Sequence, residues 1–312
     1  MNFRVARYVH AELDGGWRGW VLAGVKDLRG NSQITNVQLD GDAWSAAWKA
    51  ADIGNAVSEP EHVLKTSAEK TVSRLSLPLP QGPVEVICKH AHPSGFWGRL
   101  FSHVFGSKGR AGFERGNRLL DAGLRTPLPL ASLQRTGRGH GREVATITEA
   151  VIGAVDLDRA ATVEIKRLNS AEQYRAKRDI SRSLVELLAG LQRLDWHHRD
   201  MKATNILVTG LIDRSDPVEA VLVDLDALRR RRWFSGKQQW QPLMRLNVSL
   251  EKHRAVSNTD RLRFLYGYLE AAGQGRDTAK GYWRILEAWS RRYSRGQLRR
   301  SRRKYRRYTR DD

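Results

Sequence analysis

The stretch LDWHHRDMKATNILV, residues 194–208, restricts this chain more than any other: two histidines, an arginine, two aspartates, a lysine and an asparagine stand close together, ahead of an apolar run. Before it, Ile180, Leu184, Leu187, Leu188, Leu191 and Leu194 recur at helical spacing up to Trp196, with Ser170 and Gln173 placed as a capping box. After it, NILVTG and EAVLVDLDAL read as two short strands around the turn LIDRSDP. A long amphipathic helix therefore delivers a dense polar loop to a small sheet. A solvated turn has no need of fixed side-chain spacing, whereas a catalytic loop does.

The first half reads differently. Residues 1–60 carry Trp17, Trp20, Trp44 and Trp48 among scattered glycines, a pattern of short strands followed by the helical piece AWSAAWKAA. From His62 to Lys89 the runs HVLKTS, TVSRLSLPL and VEVICKH, separated by SAEK and PQGP, predict three antiparallel strands. GFERGNRLLDAGL predicts a short helix ended by Gly123, and EVATITEAVIG a further strand. Beyond Asp224 the chain is mostly helical, with apolar positions Leu262, Leu265, Tyr268 and Leu269. The expected class is α+β: an N-terminal extension of uncertain fold over 1–60, a mainly antiparallel part over 61–152, a helical part over 153–290, and a basic tail over 291–312. The tail, with 11 Lys or Arg and one aliphatic side chain, Leu298, is expected to be solvated and partly disordered.

At 312 residues, 40% hydrophobic and with ten tryptophans, the chain is long enough for two cores. Against 34 Asp and Glu stand 54 Lys and Arg, giving a formal charge of +20, which favours anionic partners: nucleic acid, phospholipid or a phosphorylated glycan. Cys88 is the only cysteine, so neither an intramolecular disulfide nor a cysteine-based zinc framework can form. A reducing compartment is the natural expectation. The first residues mix charge with apolar side chains, unlike a signal peptide, and no apolar run approaches the ~18 residues of a membrane span. A cytoplasmic protein, or one attached to a membrane surface, is expected.

Phosphoryl transfer from a nucleotide needs a carboxylate beside the attacking hydroxyl, oxygen ligands for Mg²⁺, a cation on the phosphates and an acid to hold that cation. In HRDMKATN, Asp200 can accept the hydroxyl proton, Lys202 can neutralise the moving phosphoryl group, and Asn205 can ligate magnesium. This is the catalytic-loop pattern of protein kinases, H-R-D-x-K-x-x-N. Downstream, Asp224 follows a predicted strand, where kinases hold a second metal ligand, although the motif here is D-L-D and not D-F-G. Asp226 is either structural or a further metal group. Upstream, Lys89 ends the strand VEVICK, as the phosphate-binding lysine of kinases does, and Glu114 lies in the following helix where it could pair with Lys89. The adenine edge is expected to meet backbone at Glu149 to Val151, and His198 to fix the loop by hydrogen bonds. The turn TSAEKT has no phosphate-loop glycine, although Lys65 or Lys70 could assist there, and no A-P-E motif follows Asp224. Without a peptide-docking segment, a small or glycosidic acceptor is favoured over a peptide.

FERGNRLLDAGLRTPLPLA, ITEAVIGAVDL, HRDMKATNILV, LVDLDALRRRRW and LMRLNVSL with NTDRLRFLYGYL together resemble the bacterial lipopolysaccharide core kinases, which phosphorylate heptose or 3-deoxy-D-manno-octulosonic acid (Kdo). The resemblance spans roughly residues 60–270. It implies a two-lobed protein-kinase-like fold with ATP in the cleft, Mg²⁺ as cofactor, and action at the cytoplasmic face of the inner membrane. By position it makes Asp200 the catalytic base, Asn205 and Asp224 the metal ligands, and Lys89 with Glu114 the phosphate-positioning pair. An anionic glycolipid suits the basic surface, with Arg229 to Arg232 facing the substrate and the tail lying on anionic lipid. Nucleic acid is the weaker alternative partner. Rival readings are a protein or other small-molecule kinase, and a non-catalytic module of the same fold binding nucleic acid or membrane.

Overall fold

The computed structural model describes residues 6–25, 33–34, 38–53, 59–67, 70–91, 102–137, 141–212, 217–230 and 236–308. The chain divides into two compact units, the first Met1–Ile152 with Asp224–Asp226, the second Gly153–Val223 with Ala227–Asp312.

The first unit is built on a seven-stranded antiparallel sheet in the order β1-β2-β6-β7-β5-β4-β3. The strands are β1 (Ala6–Leu13), β2 (Trp17–Val25), β3 (Val63–Ser67), β4 (Lys70–Leu79), β5 (Gly82–Ala91), β6 (Pro129–Gly137) and β7 (Gly141–Glu149). In β4, Leu75, Leu77 and Leu79 are buried while Arg74, Ser76 and Pro78 are exposed, the two-residue period of a half-buried strand. Residues ahead of 60 are part of this sheet: the β1–β2 hairpin extends it at β6, and helix α1 (Gly41–Ala50) packs on its core. Asp40 caps α1 by accepting the Ala43 N–H at 2.8 Å, and the buried Trp44 donates its indole N–H to Leu22 O at 2.7 Å. Trp17, Trp44 and Trp48 thus form core together with Leu77, Val86 and Ile147. Gly19 allows β2 to meet β6, because a Cβ there would lie 2.2 Å from the Ser132 carbonyl oxygen.

Strand β6 was not expected; it begins inside the proline-rich LRTPLPLA, quoted above only for the resemblance. The helix ahead of it is also longer than expected: α2 runs Ser102–Asp121. It is tied to the N-terminal hairpin, since the Tyr8 hydroxyl lies 2.6 Å from Asn117 Oδ1 and 2.8 Å from Pro129 O, with the Tyr8 ring edge-on to Phe113 at 4.7 Å.

In the second unit α3 (Ser170–Arg193) buries Ile180, Leu184, Leu187, Leu188 and Leu191. Its capping box starts one residue earlier than expected. Asn169 Oδ1 accepts the Glu172 N–H at 3.0 Å while Glu172 accepts the Asn169 N–H at 3.1 Å. Ser170 is then already helical. A small sheet follows, β8 (Val155–Asp156), β10 (Ile206–Thr209) and β11 (Glu219–Leu222), with a ribbon of β9 (Trp196–His198) and β12 (Leu228–Arg230). Helices α4 (Gly236–Glu251), α5 (Asn258–Ala271) and α6 (Ala279–Tyr308) complete the unit. Much of the expected disordered tail is helical backbone: arginine is a good helix former, and Gly296 is the only glycine and no proline interrupts 282–308. Among the described residues no helix is long and apolar enough to cross a membrane.

Candidate active site

The polar loop lies within the second unit, between β9 and β10. His198 is fully buried in the β9–β12 ribbon, paired with Leu228, and Arg199 donates its N–H to Ala227 O at 3.0 Å. These contacts fix the start of the loop. Asn205, 7% exposed, donates its side-chain N–H to Asp200 O at 2.8 Å, which turns the amide oxygen the other way. The Asn205 carbonyl accepts the Val223 N–H at 3.0 Å, so the backbone of the loop is bonded to the residue directly preceding Asp224. The Asp200 carboxylate is half exposed and faces two cations: Lys202 Nζ is 3.0 Å from Oδ2, and Arg245 Nη1 is 3.4 Å from Oδ1. Arg245, on α4, lies in LMRLNVSL, which was quoted above only for the resemblance and given no role.

Lys89 and Asp224 meet within the first unit, Nζ to Oδ1 at 3.0 Å. Asp224 has φ 60, a left-handed conformation that Asp tolerates better than most residues and that tends to be kept at functional sites. A second pair stands beside it, Lys70 Nζ to Asp226 Oδ2 at 3.2 Å, which gives Asp226 a partner that the sequence left open. Lys70, Lys89, Gly109, Thr146 and Asp226 line a recess of about 30 Å³. Exposed pairs of this kind are worth only about 0–1 kcal/mol, so phosphate oxygens can take either lysine from its aspartate at little cost.

The expected Lys89–Glu114 pair is not formed. Glu114 is half exposed and accepts from Arg110 at 2.9 Å, one helical turn away, while Lys89 goes to Asp224. Helical phase is the cause: α2 turns Gly109, Gly112 and Gly116 inward, and Glu114 lies on the other side. Those glycines bring the helix close. A Cβ at Gly112 would be 2.9 Å from Asp226 Oδ1, and one at Gly116 2.7 Å from Pro129 and 3.3 Å from Leu225. Arg115 adds hydrogen bonds to the carbonyls of Leu225 (3.2 Å) and Asp226 (3.4 Å). Helix α2 thus holds the D-L-D segment itself, by Arg115 and close backbone approach, and not the lysine by an acid.

At the predicted hinge, Glu149 is buried and its carboxylate accepts the Gln33 backbone N–H, so this side chain is engaged within the protein. Glu149 N–H goes to Leu128 O at 2.9 Å and Ala150 N–H to Glu85 O at 2.8 Å. The reciprocal ladder bond, Glu85 N–H to Ala150 O, is replaced by a side chain. Glu85 N–H donates to Gln33 Oε1 at 3.0 Å, and Gln33 Nε2 donates to Ala150 O at 2.9 Å. Gln33 is therefore wedged between β5 and the end of β7, a role nothing in its local sequence announces. Val151 is partly exposed, next to this wedge.

The oxygen donors Asp224 and Asn205 are of the type that Mg²⁺ takes, and with its amide nitrogen bonded to Asp200 O the Asn205 side chain has an oxygen to offer. Of the arginines placed toward the substrate, Arg229 donates to Leu228 O at 2.8 Å and Arg230 is exposed, while Arg231 and Arg232 lie outside the described residues.

A comparison with curated protein sequences finds no match. Among solved structures the chain is similar to "WaaP in complex with acyl carrier protein", with a TM-score of 0.55 and 18% identity, covering 78% of this chain and 91% of that one. The likeness establishes a protein-kinase-like fold. The family model described as "Lipopolysaccharide kinase (Kdo/WaaP) family" matches residues 76–268, more than half of the sequence and including Lys89, Asp200, Asn205 and Asp224. The chain belongs to the lipopolysaccharide kinase (Kdo/WaaP) family.

Proposed function

We propose that this kinase transfers the γ-phosphoryl group of ATP to a hydroxyl of a Kdo or heptose sugar in the lipopolysaccharide inner core. The observation that carries the reading is the loop in which Asn205 is bonded to the Asp200 carbonyl and through its own carbonyl to Val223, in a chain of this family. The sugar oxygen attacks the γ-phosphorus, the bond to the bridging oxygen breaks, ADP leaves, and Asp200 takes the hydroxyl proton. Lys202 neutralises the phosphoryl oxygens in flight. Lys89 leaves Asp224 for the nucleotide phosphates, and Asn205 with Asp224 would hold Mg²⁺, which supplies charge neutralisation on those phosphates. Adenine meets the backbone from Glu149 to Val151. Glu114, facing away from Lys89, has no part in this scheme.

The expected site of action is the cytoplasmic face of the inner membrane, supported by the charge of +20 and by the basic sequence of α6. Acyl carrier protein is a further candidate partner. WaaP has been solved with it, and the second unit here has a largely apolar cavity of about 180 Å³ lined by Leu157, Leu184, Leu243, Phe264 and Trp283. Co-purification of an acylated carrier with the wild-type chain, abolished by Leu184→Trp, tests that partner.

Asp200→Ala is expected to abolish transfer to lipopolysaccharide core while ATP binding is largely kept. Full turnover in this variant would sink the assignment. Mass spectrometry of core from cells with and without the gene identifies the acceptor, through loss of about 80 Da for one phosphate.

A further inference from the structure

Arg245 combines three properties that a purely structural arginine does not need. Its side chain is only 22% exposed, yet among the described residues its carboxylate contact is a long 3.4 Å to Asp200. Among the described residues its Nε is buried with no hydrogen-bond partner, a costly state for a donor. Its guanidinium is nevertheless held in place, 5.2 Å over the ring of Tyr293 on α6. The helix that carries it is fixed to the catalytic loop by Ser249, whose Oγ accepts the Ala203 N–H at 2.9 Å, and to α6 by Asn247, which donates to Ser290 Oγ at 3.0 Å.

Charge leads the same way. Asp200 has two oxygens and each faces a cation, Lys202 or Arg245. For the carboxylate to receive the proton of an acceptor hydroxyl, one oxygen must be released. Lys202 has a destination, the transferring phosphoryl group. Arg245 has none among the groups already assigned, and its paired Nη groups are the fork that takes two oxygens of an oxyanion.

We propose that Arg245 is the acceptor-reading residue: it binds an oxyanion carried by the sugar that presents its hydroxyl to Asp200, and moves off Asp200 as it does so. This rests on the kinase reading above and deepens it. An acceptor lacking that oxyanion leaves Arg245 on Asp200, so the base is freed only for a charged acceptor. Specificity and activation then share one side chain.

The test compares kcat/KM for paired acceptors: a sugar carboxylate against its methyl ester, and a phosphorylated core sugar against its dephosphorylated form. The wild-type enzyme should favour one charged acceptor by about 10- to 100-fold, the worth of a hydrogen bond to a charged group. Which pair shows the preference tells carboxylate from phosphate. Arg245→Met should bring that ratio close to one, and Arg245→Lys, which keeps charge without the fork, should leave it in between. A ratio unmoved in either variant overturns the proposal, as does a wild type with no preference in either pair. Equal loss on charged and neutral acceptors in both variants overturns it too, because that marks a structural role. If the wild-type enzyme phosphorylates none of the four acceptors, it is the sugar-kinase reading that falls.

Discussion

Gln33→Met keeps the length of the side chain and removes its amide, which isolates the wedge at the proposed hinge. Two backbone groups lose their partners, the Glu85 N–H (3.0 Å to Gln33 Oε1) and the Ala150 carbonyl (2.9 Å from Gln33 Nε2). Each unsatisfied buried group costs about 1–3 kcal/mol, and because this site is only part-buried, water relieves some of it, leaving about 2 kcal/mol in total. At 2–4 °C per kcal/mol for a unit of this size, the melting temperature of the purified protein should fall by about 4–8 °C. The same loss allows Ala150 to shift, and with it the backbone proposed to meet adenine. Nucleotide KM should therefore rise several-fold while kcat and acceptor KM hold. Calorimetry and steady-state kinetics on one preparation read both. Unchanged melting together with unchanged nucleotide KM would refute the wedge as a hinge support; a fall in kcat alone would refute its link to adenine.

Three further outcomes follow from the site and the core. Glu114→Ala should leave activity nearly intact, since it removes only an exposed pair with Arg110, whereas Arg115→Ala should lower kcat by freeing the D-L-D carbonyls; comparable losses in both would reinstate the acid. Burial opposes ionisation of Glu143, but hydrogen bonds and charge from Arg135 and His90 outweigh it and lower its pKa below 4.5. Its stabilisation is therefore complete above about pH 4.5 and lost as pH falls through the lowered folded value, so Glu143→Gln should flatten the acid limb of a denaturant-stability profile. Cys88 is fully buried, and burial pushes its thiol up to about 12, so it should resist iodoacetamide in the native protein and react only on unfolding, as followed by mass spectrometry.

What could be read from the sequence was what is local in it. Asp200, Lys202 and Asn205 stand at fixed spacing in one loop, and the apolar period of α3 delivers that loop, so both the element and the residues were visible. Asp224 follows a readable strand, and Lys89 lies in one. Glu114 failed because its helix was read as short: over the full length of α2 the glycines, and not the acid, define the inward phase. The start of α3 moved by one residue because Asn169 and Glu172 make the same reciprocal bonds expected of Ser170 and Gln173. Strand β6 was hidden by Pro127 and Pro129, which argue for a loop until neighbours on both sides pair with it. Gln33 had no local signal, since its partners lie 52 to 117 residues away, and LMRLNVSL gave no sign that its Arg245 meets Asp200, 45 residues away in sequence.

The β1–β2 hairpin changes what counts as the enzyme. Sequence similarity to the family begins at residue 76, inside β4, and says nothing of residues 6–25, yet β6 has β2 as its neighbour on one side. A fragment cut to the matched span would split β4, discard Lys70 and turn β6 from an interior strand into a bare edge with unpaired amides and carbonyls. Such an edge recruits other chains. The expected product is an aggregate and not a smaller kinase, so the limits of the working protein are set by strand pairing and not by where its relatives can be recognised.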